Sequence, residues 1–200
     1  MRERENILAV ADLEPHYMGF IEYHISPRYV GDDFTMPANL SNRITRVGVF
    51  VNESSEVIRT KAAKQGYQYV QLHGNETEMQ CRELKDSGLK IIKVFSVDDQ
   101  FDFTLTKPFV PIVDYFLFDT KGKLHGGNAK TFDWNILKHY DQEIPFFLSG
   151  GISVDNLAGL GDLKHMNIFA LDLNSGVEVS AGIKDVTRVD RVMKSEMRLI

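Results

Sequence analysis

The chain has 200 residues, 43% of them hydrophobic and 26% charged, with a formal net charge of −5. That length suits one domain covering 1–200, and the mild acidity gives no electrostatic pull toward nucleic acid or an anionic membrane. Cys81 is the one cysteine, which excludes an intramolecular disulfide and fits a reducing, cytoplasmic setting. No run approaches the roughly 18 apolar residues of a membrane span, and MRERENILAVADLEP does not read as a signal peptide.

Glu5 to Leu13 has helical apolar spacing, and Pro15 ends it. Tyr17 to Tyr23 reads as a strand, followed by a loop through Arg28 and Gly31. Phe34 to Arg43 is expected to form a short helix. Arg46 to Val51 is a second strand; Asn52-Glu53-Ser54 then caps a helix running to about Gln65. Tyr69 to Leu72 is a third strand, ending in His73-Gly74, with a helix from Glu76 to Ser87. Lys90 to Phe95 is a fourth strand, and a helix is expected around Asp98 to Thr106. Tyr115 to Phe118 is a fifth, fully apolar strand that suits a buried parallel sheet. Asp133 to Tyr140 is helical, Pro145 to Leu148 a sixth strand, Val154 to Leu160 a short helix, Ile168 to Leu171 a seventh strand, and Lys184 to Leu199 the last helix.

Strands and helices in alternation predict an α/β fold with an all-parallel sheet. An open sheet gathers its site at one switch point, whereas a barrel brings every strand end to one mouth. Here Arg28, Asn52, His73, Ser96, Asp119, Ser149 and Asp172 follow successive strands. That spread favours a (β/α)8 TIM barrel. With seven strands visible, it would lack its first β-strand, which would precede Met1.

Asp119 ends the buried fifth strand, and a loop holding Gly126-Gly127 follows it. A carboxylate there suits chemistry at a barrel mouth, with a turn cap as the plainer alternative. LSGGI after the sixth strand and DLNSGVE after the seventh are glycine turns. Glycine lets the backbone close on an anion, and in barrels such late loops often hold phosphate. Gln71 and His73 share one strand face because side chains alternate with period two; a buried polar pair is the alternative role. Arg28 could grip an anionic group or simply be solvated. Cys81 reads as a small packing residue within a helix. No metal-ligand spacing, dinucleotide fingerprint or nucleotide P-loop is found.

The segments GFIEYHISPRYV, RVGVFVNES, YVQLHGNE, FLFDT, GGNAKTFDW, PFFLSGGI and DLNSGVEVSAGIKD, in this order, resemble the phosphoribosylanthranilate isomerase family. The resemblance runs over essentially the whole chain from about Glu5. It implies a cofactor-free barrel that performs the Amadori rearrangement of N-(5′-phosphoribosyl)anthranilate in tryptophan biosynthesis. A general acid protonates the ring oxygen, the sugar opens to an iminium, and a base removes the C2′ proton. By resemblance Asp119 is the acid and Arg28 meets the anthranilate carboxylate. Gln71, His73 and Asp172 line the substrate pocket, and Gly127, Gly150, Gly151, Ser175 and Gly176 grip the phosphate. The implied partner is a small phosphorylated substrate, with the chain a monomer or homodimer. The family's base is a cysteine in a K-x-C-G motif on the first strand, and no such motif occurs here. An N-terminal truncation would explain both the missing strand and the missing base, leaving a severe loss of activity or a barrel that only binds its ligand. The sequence also has Ala129 where the family usually has glycine, Glu22 where it tends to an apolar residue, and Ile25 where it tends to lysine.

Overall fold

The computed structural model describes residues 1–120, 133–163 and 165–196. Helix α1 (Arg4–Ala11) precedes β1 (Tyr17–Ile21) and β2 (Thr45–Phe50). There follow α2 (Ser55–Gln65), β3 (Tyr69–Leu72), α3 (Glu78–Asp86) and β4 (Lys90–Val97). The second half holds β5 (Tyr115–Thr120), β6 (Phe146–Leu148), β7 (Ile168–Leu171), a hairpin of β8 (Glu178–Ser180) and β9 (Ile183–Lys184), and α4 (Val186–Glu196).

Helices α2 and α3 form for the expected reasons. The Ser54 hydroxyl accepts from the Val57 amide to cap α2, and Gly66 ends it at φ 69°. Thr77 caps α3 in the same way. The expected helix over Phe34 to Arg43 is replaced by turns. Pro37 interrupts the stretch, and the buried Gln65 amide takes its backbone groups, donating to Phe34 O at 2.7 Å and accepting from Met36 N at 3.0 Å. Later connections are 3₁₀ turns instead of α-helices, at Phe103–Phe109, Trp134–His139 and Leu157–Leu163. Pro108 lies inside the first, and Gly159 and Gly161 inside the third, which disfavours a longer α-helix. The β8–β9 hairpin was not expected. Its signal was the two-residue Ala181-Gly182 connection, with Gly182 at φ 84°.

Strands β1 to β7 pair in sequence order, all parallel. Seven flat strands spaced about 4.8 Å apart would hold the first and last roughly 29 Å from each other. Yet the rings of Tyr17 on β1 and Phe169 on β7 have centroids 6.0 Å apart. The sheet is therefore curled into a barrel. Its edges are β1 and β7, which make no ladder with each other among the described residues. Met1 is buried, and its amine donates to Gly19 O on the β1 edge at 3.3 Å.

Curling creates two apolar layers. Inside the barrel Val47, Ile92, Val94, Leu117 and Phe147 form one cluster, floored by Tyr17, Tyr69 and Tyr115. Tyr17 meets Tyr69 and Phe147 edge-on at 5.6 and 5.4 Å. The larger cluster lies between sheet and helices and includes Phe20, Phe50, Phe116, Phe118 and Phe146. The opposite end of the barrel, where the strands terminate, is the mouth.

Candidate active site

Strand alternation sends Gln71 and His73 to the same interior face of the sheet, and sends Asp119 inward from β5. The Gln71 amide nitrogen lies 3.2 Å from His73 Nδ1, and His73 Nε2 lies 3.4 Å from Asp119 Oδ2. An Nδ1 that accepts from the amide puts the imidazole proton on Nε2, the nitrogen facing the carboxylate. Asp119 is buried, and its Oδ1 accepts from the Thr120 amide at 2.8 Å. Across the mouth Ser149 Oγ donates to Asp172 Oδ2 at 2.8 Å. Burial pushes the Asp172 carboxyl above the ordinary carboxylate range; the Ser149 hydroxyl opposes this and the negative charge of Asp119 adds to it. The mouth thus brings Gln71, His73, Asp119, Ser149 and Asp172 around a cavity of about 360 Å³.

The glycine turns flank that cavity. Gly150 and Gly151 adopt φ 92° and 70°, and Gly150 also packs on Thr120, where a Cβ would have no room. Gly176 sits directly against the carbonyl of Ile152, so the loops after β6 and β7 interlock. Ser175 lines the cavity beside them. Gly127 and Ala129 lie outside the described residues.

Gln71, His73, Asp119, Gly150, Gly151, Asp172 and Ser175 therefore share one cavity wall. Asn52 and Ser96 are not part of it. Arg28 is placed differently from the expectation. Its guanidinium grips Glu178 of β8, with Nη2 and Nε 2.7 and 2.9 Å from Oε2, and it does not line the cavity. Burial opposes ionisation of Glu178, but Arg28 and Lys184 hold its carboxyl below the usual range. Lys184, which the sequence reading missed, does line the cavity. Its Nζ reaches Asn174 Oδ1 at 2.8 Å and Glu178 Oε1 at 3.1 Å, and burial lowers its pKa against the pull of Glu178. The Gly-Ile-Lys-Asp run closing the hairpin was the available signal. Among the described residues no group of three His, Cys, Asp or Glu is placed to hold a metal ion, and no helix is long and apolar enough to cross a membrane.

A family model described as N-(5′-phosphoribosyl)anthranilate isomerase matches residues 1–195. The chain belongs to the phosphoribosylanthranilate isomerase family. It is 46% identical over 185 residues to a curated isomerase of Phocaeicola vulgatus, covering 92% of this chain and 89% of the relative. A Parabacteroides distasonis relative of the same description is 41% identical, with 94% and 87% covered. The solved phosphoribosylanthranilate isomerase of Thermotoga maritima superposes with a TM-score of 0.86 at 30% identity, covering 99% of this chain and 96% of that one. Another solved isomerase holds reduced 1-(o-carboxyphenylamino)-1-deoxyribulose 5-phosphate; its TM-score is 0.83 at 28% identity, with 99% and 95% covered. Family membership makes the barrel mouth the site to read chemically.

Proposed function

We propose that this mouth serves the Amadori rearrangement of N-(5′-phosphoribosyl)anthranilate to 1-(2-carboxyphenylamino)-1-deoxyribulose 5-phosphate in tryptophan biosynthesis, with Asp119 as general acid. The observation that carries the reading is the buried Asp119 carboxyl facing His73 across 3.4 Å inside a cavity large enough for a small molecule. Asp119 delivers a proton to the ring oxygen, the ring opens to an iminium, and loss of the C2′ proton completes the shift. The Gly150-Gly151 and Ser175-Gly176 turns, packed so closely on Thr120 and Ile152 that neither Gly150 nor Gly176 has room for a Cβ, suit the substrate's phosphate, since glycine turns can offer it backbone amides. Gln71, His73 and Asp172 offer hydrogen-bond partners for the opened sugar. Lys184 supplies positive charge to the cavity, where Arg28 is committed to Glu178. A cytoplasmic setting suits a free cysteine and a phosphate-ester substrate. The chain acts as a monomer or homodimer; one solved relative is described as monomers of a dimeric isomerase.

The base is the open half of the pair. The chain's one cysteine, Cys81, is buried in α3, and burial pushes its thiol up to about 11. It takes no part in the mouth. That observation favours a second reading, in which the barrel holds a phosphorylated ligand without turning it over. An isomerase assay on two versions separates the readings. One version is this chain, and the other adds a strand carrying K-x-C-G ahead of Met1. The added base is expected to raise turnover about 10²–10⁴-fold. Full activity in the first version overturns the base assignment, and no activity in the second supports the binding reading.

A further inference from the structure

A buried ion pair outside the cavity brackets the residue that faces Asp119. Lys93 and Glu76 are 3% and 4% exposed, and Lys93 Nζ lies 2.9 Å from Glu76 Oε2. Lys93 sits between the interior residues Ile92 and Val94 on β4, so its side chain leaves the barrel on the helix side. There the ammonium spends its other two protons on backbone carbonyls, Leu72 O at 3.2 Å and Gly74 O at 2.7 Å. These two carbonyls flank His73. The Glu76 carboxylate accepts from the Gly74 amide at 2.9 Å and from the Asn52 amide at 2.9 Å. Asn52 in turn accepts from the Asn75 amide, and the His73 amide donates to Phe50 O at 2.8 Å. The backbone from Leu72 to Asn75 is thereby pinned at every residue, by one cation, one anion and the end of β2.

We propose that the Lys93–Glu76 pair is the positioning device of the mouth: it fixes the backbone on both sides of His73, and so sets the imidazole between Gln71 and Asp119. Neither residue touches the cavity. A pair whose only task was stability would be replaceable by apolar side chains at little cost, since desolvating two charges offsets much of their attraction. What apolar replacements cannot supply is a donor set aimed at two particular carbonyls and an acceptor for two particular amides. The role rests on the proposed function for its catalytic meaning, because it works through His73.

The test is the side-chain ¹⁵N spectrum of His73 at mildly alkaline pH, assigned by its absence in His73→Gln. The wild-type chain is expected to show one tautomer, with the proton on Nε2. In Lys93→Met/Glu76→Met, which leaves no single buried charge behind, circular dichroism is expected to stay native. The two His73 nitrogen signals are expected to move toward the average of both tautomers. Unchanged His73 signals in a folded double variant overturn the proposal, because a structural pair would alter the melting temperature alone. Should the double variant not fold, Glu76→Gln keeps an amide acceptor and removes the charge. A shifted His73 spectrum there supports the role, and an unchanged one overturns it. The readout needs no turnover, so a chain that never isomerises the substrate sinks the functional reading and leaves this test standing.

Discussion

Asp172 shows how one residue links site and stability. In the fold its carboxyl holds a proton to higher pH than the same group in the unfolded chain, chiefly because it is buried. At pH below the ordinary carboxylate range both states are protonated and the residue costs nothing. As pH rises from there through the raised folded value, the unfolded chain ionises first and stability is lost. Asp172→Asn keeps an acceptor for Ser149 Oγ and removes the charge. It is expected to raise the melting temperature at neutral pH by a few degrees, at about 2–4 °C per kcal/mol, with the gain vanishing below about pH 4. Thermal melts across that range check it; a gain that does not depend on pH would contradict the assigned cause. Glu22 is a second buried acid, held by direct partners. Buried on the outer side of β1, it accepts from Tyr67 at 2.7 Å and pairs with Lys61 at 2.8 Å. Each oxygen of this buried acid thus has its own donor.

At the scale of elements, the loops decide more than the strands. The turn after β6 and the turn after β7 meet at Gly176, which faces the Ile152 carbonyl and the Ser153 side chain. Gly176→Ala forces these loops apart. The expected cost is that of overpacking, about 1–3 kcal/mol; on the proposed function, inorganic phosphate is expected to raise the melting temperature of the parent and not that of the variant. Thermal melts with and without phosphate measure both parts. The strands themselves could be read from the sequence, because an apolar run with a polar residue at its end has few other meanings. Gln71 and His73 could be placed on one face by period two alone. Their meeting with Asp119 could not, since it depends on β3 and β5 curling toward each other across β4. Nor could the Arg28–Glu178 pair, whose partners lie 150 residues apart. In two of the three 3₁₀ turns helical apolar spacing survives where Pro108, Gly159 and Gly161 remove the means to continue a helix; Trp134–His139 carries no such signal.

At the scale of the molecule, burial is uneven around the barrel. The middle residues of β5 are all buried and β4 is buried over four successive positions, whereas β7 has none that are fully buried. β1 and β7 are also the sheet edges. Local opening follows such gradients. Native-state hydrogen exchange is therefore expected to be slowest in β4 and β5 and roughly tenfold or more faster in β7. Uniform protection across the sheet would mean that the two edges are held by more than the contacts described.

The aromatic floor has an optical consequence. Tyr17, Tyr69 and Tyr115 meet one another and Phe147 in fixed, mostly edge-on packing, in a layer that exists only because the first strand reaches the last. The chain's single tryptophan, Trp134, stands apart from this cluster, beside Gly159. Three of the chain's seven tyrosines thus share one packed layer, apart from its one indole. A chiral tyrosine band in the near-ultraviolet reports whether the sheet is rolled up, and indole emission reports the neighbourhood of the turn after β5. A fading tyrosine band with helical ellipticity intact would reveal a barrel unrolling before its helices melt.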